Sequence, residues 1–313
     1  MLNRRHLLGL LAGAGAAAAA PPLAAQTLTN IRVGTFASES TGSIFYAQDQ
    51  GFLARHGLSA SINVATGGAA VGSAMVAGDL DMGEADVVTI AIAHDKGFPF
   101  VFVAPGELHT VKVPTLACVV RDPNVRIGKD FNGKTMACNV SRGFGSLVTN
   151  AWIDNNGGDS KTVKWVEFPF PALSAALQRG TIDGYCAPEP FVTAGVAGGG
   201  HLVLLEKNPV APSILQGGWF ATRDWVAKNP AAAIAVRGAI REANEWANAN
   251  PHATAEIISK YSKIPIGVIE GMKMRGQYQT AFDTSTMQPL IDAAAKYGYI
   301  SASFPARDMI ART

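Results

Sequence analysis

The sequence predicts an α/β protein of two lobes, each a mainly parallel sheet flanked by helices, with a cleft between them. Three observations predict it. β-type and helical runs alternate along the chain, the order of a parallel sheet covered by helices. A helix-to-strand unit recurs 102 residues after its first appearance, so one layered unit is followed by a similar one. At 313 residues the chain has room for about two domains of about 150 residues.

The elements follow in order. Residues 31–36 form a β-type run. Residues 43–56 read as one helix, with Ser43 as a cap and Gly57 just past its end. Residues 58–64 alternate as a strand, 69–77 are helical and stop at Gly78, 81–83 make a brief strand, 87–95 a helix and 100–103 a strand. A second series offers strands at 115–120, 135–139, 163–167 and 182–185, with helices at 146–155 and 172–179. After Trp219 the chain turns mainly helical, at 230–248, 253–261 and 287–297.

The echo is specific. Residues 74–85 and 176–187 both fit A-[ML]-x-x-G-x-[LI]-D-x-x-x-A, and Gly42-Ser43-Ile44 has a counterpart in Gly145-Ser146-Leu147. In each copy a helix ends at a glycine free to take positive φ, and a short strand follows.

Residues 1–25 read as an export signal: Arg4-Arg5, an apolar run over 7–20, a Pro21-Pro22 break and a small-residue stretch that ends before Gln26. The arginine pair also suits a twin-arginine signal. The apolar run is too short to span about 30 Å of hydrocarbon. The whole chain carries 26 Lys+Arg and 24 Asp+Glu. Without the two signal arginines the charges balance, and the basic excess expected of a nucleic-acid binder is absent. Cys118, Cys138 and Cys186 are too few for a disulfide scaffold and sit in strand-like surroundings, as buried inert thiols do. Zinc-protease, nucleophile-elbow and phosphate-loop motifs are absent, so the sequence argues against an enzyme and calls for no cofactor and no metal.

Open parallel sheets bind ligands outside the carboxyl ends of their strands. That rule selects the loops after each strand and, in them, Ser38, Glu39, Ser40, Gly67, Gly68 and Asp86 in the first lobe. In the second it selects Ser141, Arg142, Gly143, Phe144 and Glu189, with Trp219 as a further cleft wall. Asp86 also reads as a plain helix cap, and core packing is the stronger reading for any one of the aromatic residues. Arg142, before the helix start at Gly145-Ser146, would offer a planar fork to a carboxylate or sulfonate. The helix starts at Ser43 and Ser146 would present free N–H groups to the cleft. Glu39, Asp86 and Glu189 point instead to ligand N–H or cationic groups.

The chain resembles the substrate-binding proteins of ABC importers, of the nitrate/sulfonate/taurine type that includes thiamine-precursor binders. The residues that carry the resemblance are Phe45-Tyr46-Ala47-Gln48-Asp49-Gln50-Gly51-Phe52-Leu53, the echoed units, Asp130-Phe131-Asn132-Gly133-Lys134, Pro188-Glu189-Pro190 and Gly218-Trp219-Phe220-Ala221-Thr222. The resemblance implies the periplasmic binding protein fold, with lobe 1 from residues 26–113 and 218–313 and lobe 2 from 114–217. The crossings fall near 113–115 and 216–218. It implies capture of a small molecule by lobe closure, no catalysis, delivery to an ABC permease in the inner membrane, and a soluble periplasmic monomer. The ligand is left open among sulfonates, carboxylates and nitrogen heterocycles. Two other readings on this fold are an exported enzyme or precursor-synthesising protein, and the receptor of an ion-driven transporter.

Overall fold

The computed structural model describes residues 28–64, 68–205, 210–272 and 274–312. The expected export signal and Gly67 lie outside them. The first unit runs β1 (Thr29–Thr35), α1 (Gly42–Asp49), α2 (Phe52–Arg55), β2 (Leu58–Val64), α3 (Gly68–Ala77), β3 (Met82–Asp86), α4 (Val87–Asp95), β4 (Phe100–Pro105). β5 (Glu107–Thr110) leads out of it. The second unit runs β6 (Ala117–Val120), β7 (Thr135–Cys138), α5 (Phe144–Asn155), β8 (Lys164–Glu167), α6 (Phe170–Gln178), β9 (Gly184–Ala187), α7 (Phe191–Ala197), β10 (His201–Leu204). β11 (Ser213–Leu215) leads back to β12 (Gly217–Thr222), α8 (Arg223–Lys228), α9 (Pro230–Ala249), α10 (Pro251–Ser262), α11 (Ile266–Glu270), β13 (Gln277–Tyr278) and α12 (Thr284–Lys296).

Two five-stranded sheets result, ordered β2-β1-β3-β12-β4 and β10-β6-β9-β7-β8. Read from opposite ends, they match. In each, three parallel strands are followed by one antiparallel strand, β12 or β6, that has just arrived from the other unit. The crossings themselves pair: β11 lies antiparallel on β5, with Ile214 opposite His109, and β13 flanks β5 on its other side.

The echo has a physical basis. Gly78 and Gly180 both take positive φ, 82° and 72°. Past each glycine the chain bonds back into the helix it leaves: Asp79 N–H to Ala74 O at 2.8 Å, Thr181 N–H to Ala176 O at 3.1 Å. The motif's aspartate then clamps the neighbouring strand. Asp81 donates its N–H to Arg32 O and accepts Arg32 N–H at its carboxylate, both at 2.8 Å. Asp183 does the same with Thr135, again at 2.8 Å on both sides. Chain reversal needs the glycine, and strand register needs the aspartate.

Some sequence expectations are corrected. The single helix expected over 43–56 is two, because Gly51 takes φ 73° and breaks it. The strand expected at 81–83 runs from Met82 to Asp86. The long helix α9 lays Ala233, Val236, Ala239, Ile240, Ala243 and Ala247 on the first sheet, at the spacing of one helical face. Asn244 lies in that apolar stripe and is fully buried, so its amide must be satisfied there. It donates to Pro105 O and Gln279 O and accepts the Ser43 hydroxyl. That bond seats the start of α1 against α9, inside the core, so the helix N-terminus expected to open at Ser43 is buried.

Candidate ligand-binding site

A cavity of about 490 Å³ lies between the two sheets, lined from both. The ends of the echoed strands meet there: Glu84, Ala85 and Asp86 from β3, Cys186 from β9 and Pro188 just past it. Apolar rings form much of the wall, Phe36, Phe100 and Phe220 from the first unit and Phe144, Phe168 and Phe170 from the second. Phe36 and Phe170 touch across the cleft with ring centroids 5.2 Å apart, and Phe170 stacks on Phe191 at 5.1 Å. Glutamates and an aspartate are the only charged residues in the lining among the described residues: Glu84, Asp86 and Glu167.

Asp86 joins the two units. Its carboxylate accepts Thr89 N–H at 2.9 Å and the Thr89 hydroxyl at 2.6 Å, capping α4, and accepts Phe144 N–H at 3.1 Å, at the start of α5. Two helix N-termini, one from each unit, converge on one carboxylate, where their dipoles favour negative charge. Burial raises the Asp86 carboxyl, against the pull of these N–H donors. At the start of α5, Asp86 holds Phe144 N–H, and past Gly145 the Leu147 N–H bonds Gly143 O at 3.0 Å. A second cross-cleft bond runs from Glu39 N–H to Glu189 O at 3.0 Å.

Of the residues singled out from the sequence, Asp86 and Phe144 line the cavity. Gly68 opens α3, while Gly72, one turn on, is the lining residue. Gly143 caps α5 and donates its N–H to the Ser146 hydroxyl at 3.2 Å; it leaves room for the Asp86 carboxylate, 3.3 Å from where a Cβ would stand. Ser141 donates N–H and hydroxyl to Glu167, both at 2.8 Å, and so positions a lining residue without lining.

The others are placed elsewhere. Ser38 and Ser40 are buried and bond each other at 2.8 Å, so their loop satisfies itself. Glu39 is buried and raised to about 7 by that burial, with Arg275 opposing from 3.8 Å. Glu189 accepts Thr193 N–H and hydroxyl, both at 2.9 Å, an internal bond of the α7 start. Trp219 is 1% exposed in the core beneath the first sheet. Arg142 is exposed: its guanidinium donates to Gly298 O and lies over the Tyr299 ring, 4.7 Å from the centroid. The anion fork expected of it does not face the cavity. Arg142→Ala should accordingly leave ligand affinity unchanged in a calorimetric titration and lower stability by no more than about 1 kcal/mol, the scale of an exposed cation–π contact. A tenfold loss of affinity would show that Arg142 reaches the ligand.

Sequence reasoning missed Glu84 and Glu167, while the three cysteines are the buried thiols it expected, with Cys186 also in the lining. Glu84 was findable, because the echo offset sets it opposite Cys186 and both end up in the lining. Cys118 pairs with Cys186 across β6 and β9, and Ala137 faces Tyr185 across β7 and β9, which sets Cys138 beside Cys186. All three cysteines are buried and free. The Cys138 thiol and burial hold Cys186 well above the usual thiol range, so it is a poor nucleophile. His201, the other half of a conceivable Cys/His pair, is exposed on the edge strand β10.

Comparison with known proteins agrees with this architecture. The ligand-binding component of an ABC-type import system from Staphylococcus aureus, solved with zinc bound, superposes with TM-score 0.78 at 14% identity over 91% of this chain and 96% of that one. The alkanesulfonate-binding protein SsuA from Xanthomonas axonopodis pv. citri, bound to MOPS, gives 0.74 at 15% identity over 91% and 99%. The nitrate-binding protein NrtA from Synechocystis PCC 6803 gives 0.76 at 17% over 90% and 84%. The same fold also carries a desulfurization enzyme, DSZB, at TM-score 0.64 and 11% identity over 90% of this chain and 96% of that one. No curated protein matches the sequence. These likenesses show the two-lobed periplasmic binding protein fold. Residues 24–261 match the family model described as NMT1-like, and the chain belongs to the NMT1-like family.

Proposed function

We propose that the chain is the exported solute-binding component of an ABC importer, which captures a small organic ligand between its lobes and delivers it to a membrane permease. Its lobes are residues 26–113 with 218–313, and 114–217; residues 1–25 are the export signal. The observation that carries the reading is the cavity itself. Its walls come from two sheets joined by the β5–β11 ladder, and backbone N–H bonds at Asp86 and at Glu39 tie the loops across it, with Tyr299 bonded to Ser146 and Asn150 and Tyr297 to Asp154 beside them. That is a site assembled by closure. No helix among the described residues is long and apolar enough to cross a membrane, as delivery by a soluble carrier requires. The binding role is favoured over the enzymatic one because the thiol in the lining is held protonated and the exposed His201 lies on the sheet edge. Asp86 and Phe144 stand as the ligand-side residues proposed from both sequence and geometry, with Gly143 making room for Asp86 and Ser141 positioning Glu167.

The test starts from the ligand that co-purifies. Native mass spectrometry of the exported protein should show a bound small molecule, lost on unfolding. Added back at about 100 times its Kd, it should stabilise the protein by about 2.7 kcal/mol, and small-angle scattering should report a more compact particle. Tight binding with an unchanged scattering curve would contradict capture by closure.

A further inference from the structure

Three carboxylates reach the cavity, and their partners differ. Asp86 holds the N-termini of α4 and α5, and Glu167 holds Ser141. Glu84 is 7% exposed, and no hydrogen-bond donor reaches its carboxyl among the described residues. Gly217, the β12 partner of Asp86, leaves space for it: a Cβ there would stand 2.9 Å from Glu84 Oε1 and 2.5 Å from Ala85 O. Unlike Glu39 Oε2 and Glu107 Oε2, which are fully enclosed without a partner, the Glu84 carboxyl opens on the cavity, where an entering donor can pair with it.

We propose that the cleft selects an organic cation: an ammonium or similarly charged N–H group bonded to Glu84 and flanked by Asp86, on an apolar, ring-sized body held among the phenylalanines. The inference rests on the cleft being the ligand site. Charge sets the sign, since no Lys, Arg or His lines the cavity among the described residues to neutralise a sulfonate or a nitrate. The walls agree with it, because the faces of Phe36, Phe144 and Phe170 attract cations as well as apolar surface. The volume of about 490 Å³ suits a ring with a short chain.

Proton linkage follows. The titratable groups facing Glu84 are Asp86 on its own strand, Glu107 on β5 and Glu167 across the cavity, all acidic. Burial first, and Asp86 second, push the Glu84 carboxyl well above the usual range, so the empty cleft holds a proton there that an entering cation displaces.

Phenethylammonium, phenethyl alcohol and phenylacetate test the inference, titrated calorimetrically at pH 6 and pH 8 in buffers of different ionisation enthalpy. The ammonium probe should bind at least about tenfold tighter than the other two, more tightly at pH 8 than at pH 6, with proton release. Glu84→Gln should weaken it by about 10- to 100-fold, the range of one charge-assisted hydrogen bond, while raising the melting temperature of the empty protein. Tighter binding of phenylacetate, or of the alcohol at the lower pH, would overturn the cation assignment and leave the binding-protein reading standing. Unchanged ammonium affinity in Glu84→Gln would also overturn it. If none of the three probes binds and no co-purified ligand closes the lobes, the binding-protein reading itself falls, and this inference with it.

Discussion

Glu107→Gln should raise the melting temperature, and the gain should be larger at pH 8 than at pH 5.5. Glu107 is 2% exposed on β5, the outgoing strand of the crossing, and its Oε2 has no hydrogen-bond partner. Burial pushes its carboxyl well above the usual range, and Glu39, Glu84 and Glu189 push the same way. Glu39, raised to about 7, gives the scale. A carboxyl with a raised folded pKa contributes stability that is fully present below its unfolded value, near 4.5, and is lost as pH rises through its folded value. For Glu39 that window is pH 4.5 to 7, and the loss is about 3 kcal/mol. His109 acts in the opposite sense: burial lowers it to about 4, so its contribution is present above about 6.5 and lost as pH falls toward 4. Above pH 6.5 the carboxyls act alone, and the wild-type melting temperature should decline from there to pH 8.5 in a calorimetric scan. Glu107→Gln removes one ionising group from this set, worth about 1–3 kcal/mol at pH 8. A wild-type melting temperature that climbs between pH 6.5 and 8.5, or a variant that melts below wild type at pH 8, would refute this account.

The division of labour between sequence and tertiary structure is visible in particular residues. Gly78 and Asp81, with Gly180 and Asp183, were readable because their work is done within a few residues or against the next strand of the same unit. Gly51 broke an expected helix because its positive φ, not its neighbours' hydrophobicity, decides the local path. β5, β11 and β13 were not readable: they are 4, 3 and 2 residues long and exist because distant segments supply their partners. At the site, the strand-end rule chose the right loops but not the directions of side chains. Ser38 and Ser40 turn inward on each other, Arg142 turns out onto Tyr299, and Trp219 is absorbed by the core. Glu84 reads locally as a strand residue free to face water. It is buried because β12, with Trp219 as its partner 135 positions later, lies down beside it. That long-range event is not written in the neighbours of Glu84; the signal that points to it is the echo, which sets it opposite Cys186.

Asp86→Ala should loosen the closed arrangement of the lobes as well as lower the melting temperature. The carboxylate does two jobs at 2.9 and 3.1 Å, capping α4 through Thr89 and holding Phe144 N–H at the start of α5. Loss of a helix cap costs about 0.5–2 kcal/mol, and that part of the effect is present whether the lobes are open or closed. The bond to Phe144 exists only when they are together. In an open form water takes the Phe144 N–H, so the alanine variant gives up about 1 kcal/mol of preference for closure. An affinity that depends on the closed population falls in proportion, by about fivefold to tenfold for that energy. Ligand-free Asp86→Ala should therefore scatter as a more extended particle than wild type and bind the co-purified ligand more weakly. Thr89→Val separates the two effects. It removes the hydroxyl bonded to Asp86 at 2.6 Å but leaves both backbone N–H groups in place, so it should lower the melting temperature without extending the particle. If Asp86→Ala melts lower yet scatters as wild type does, the aspartate is a helix cap alone and the lobes close without it.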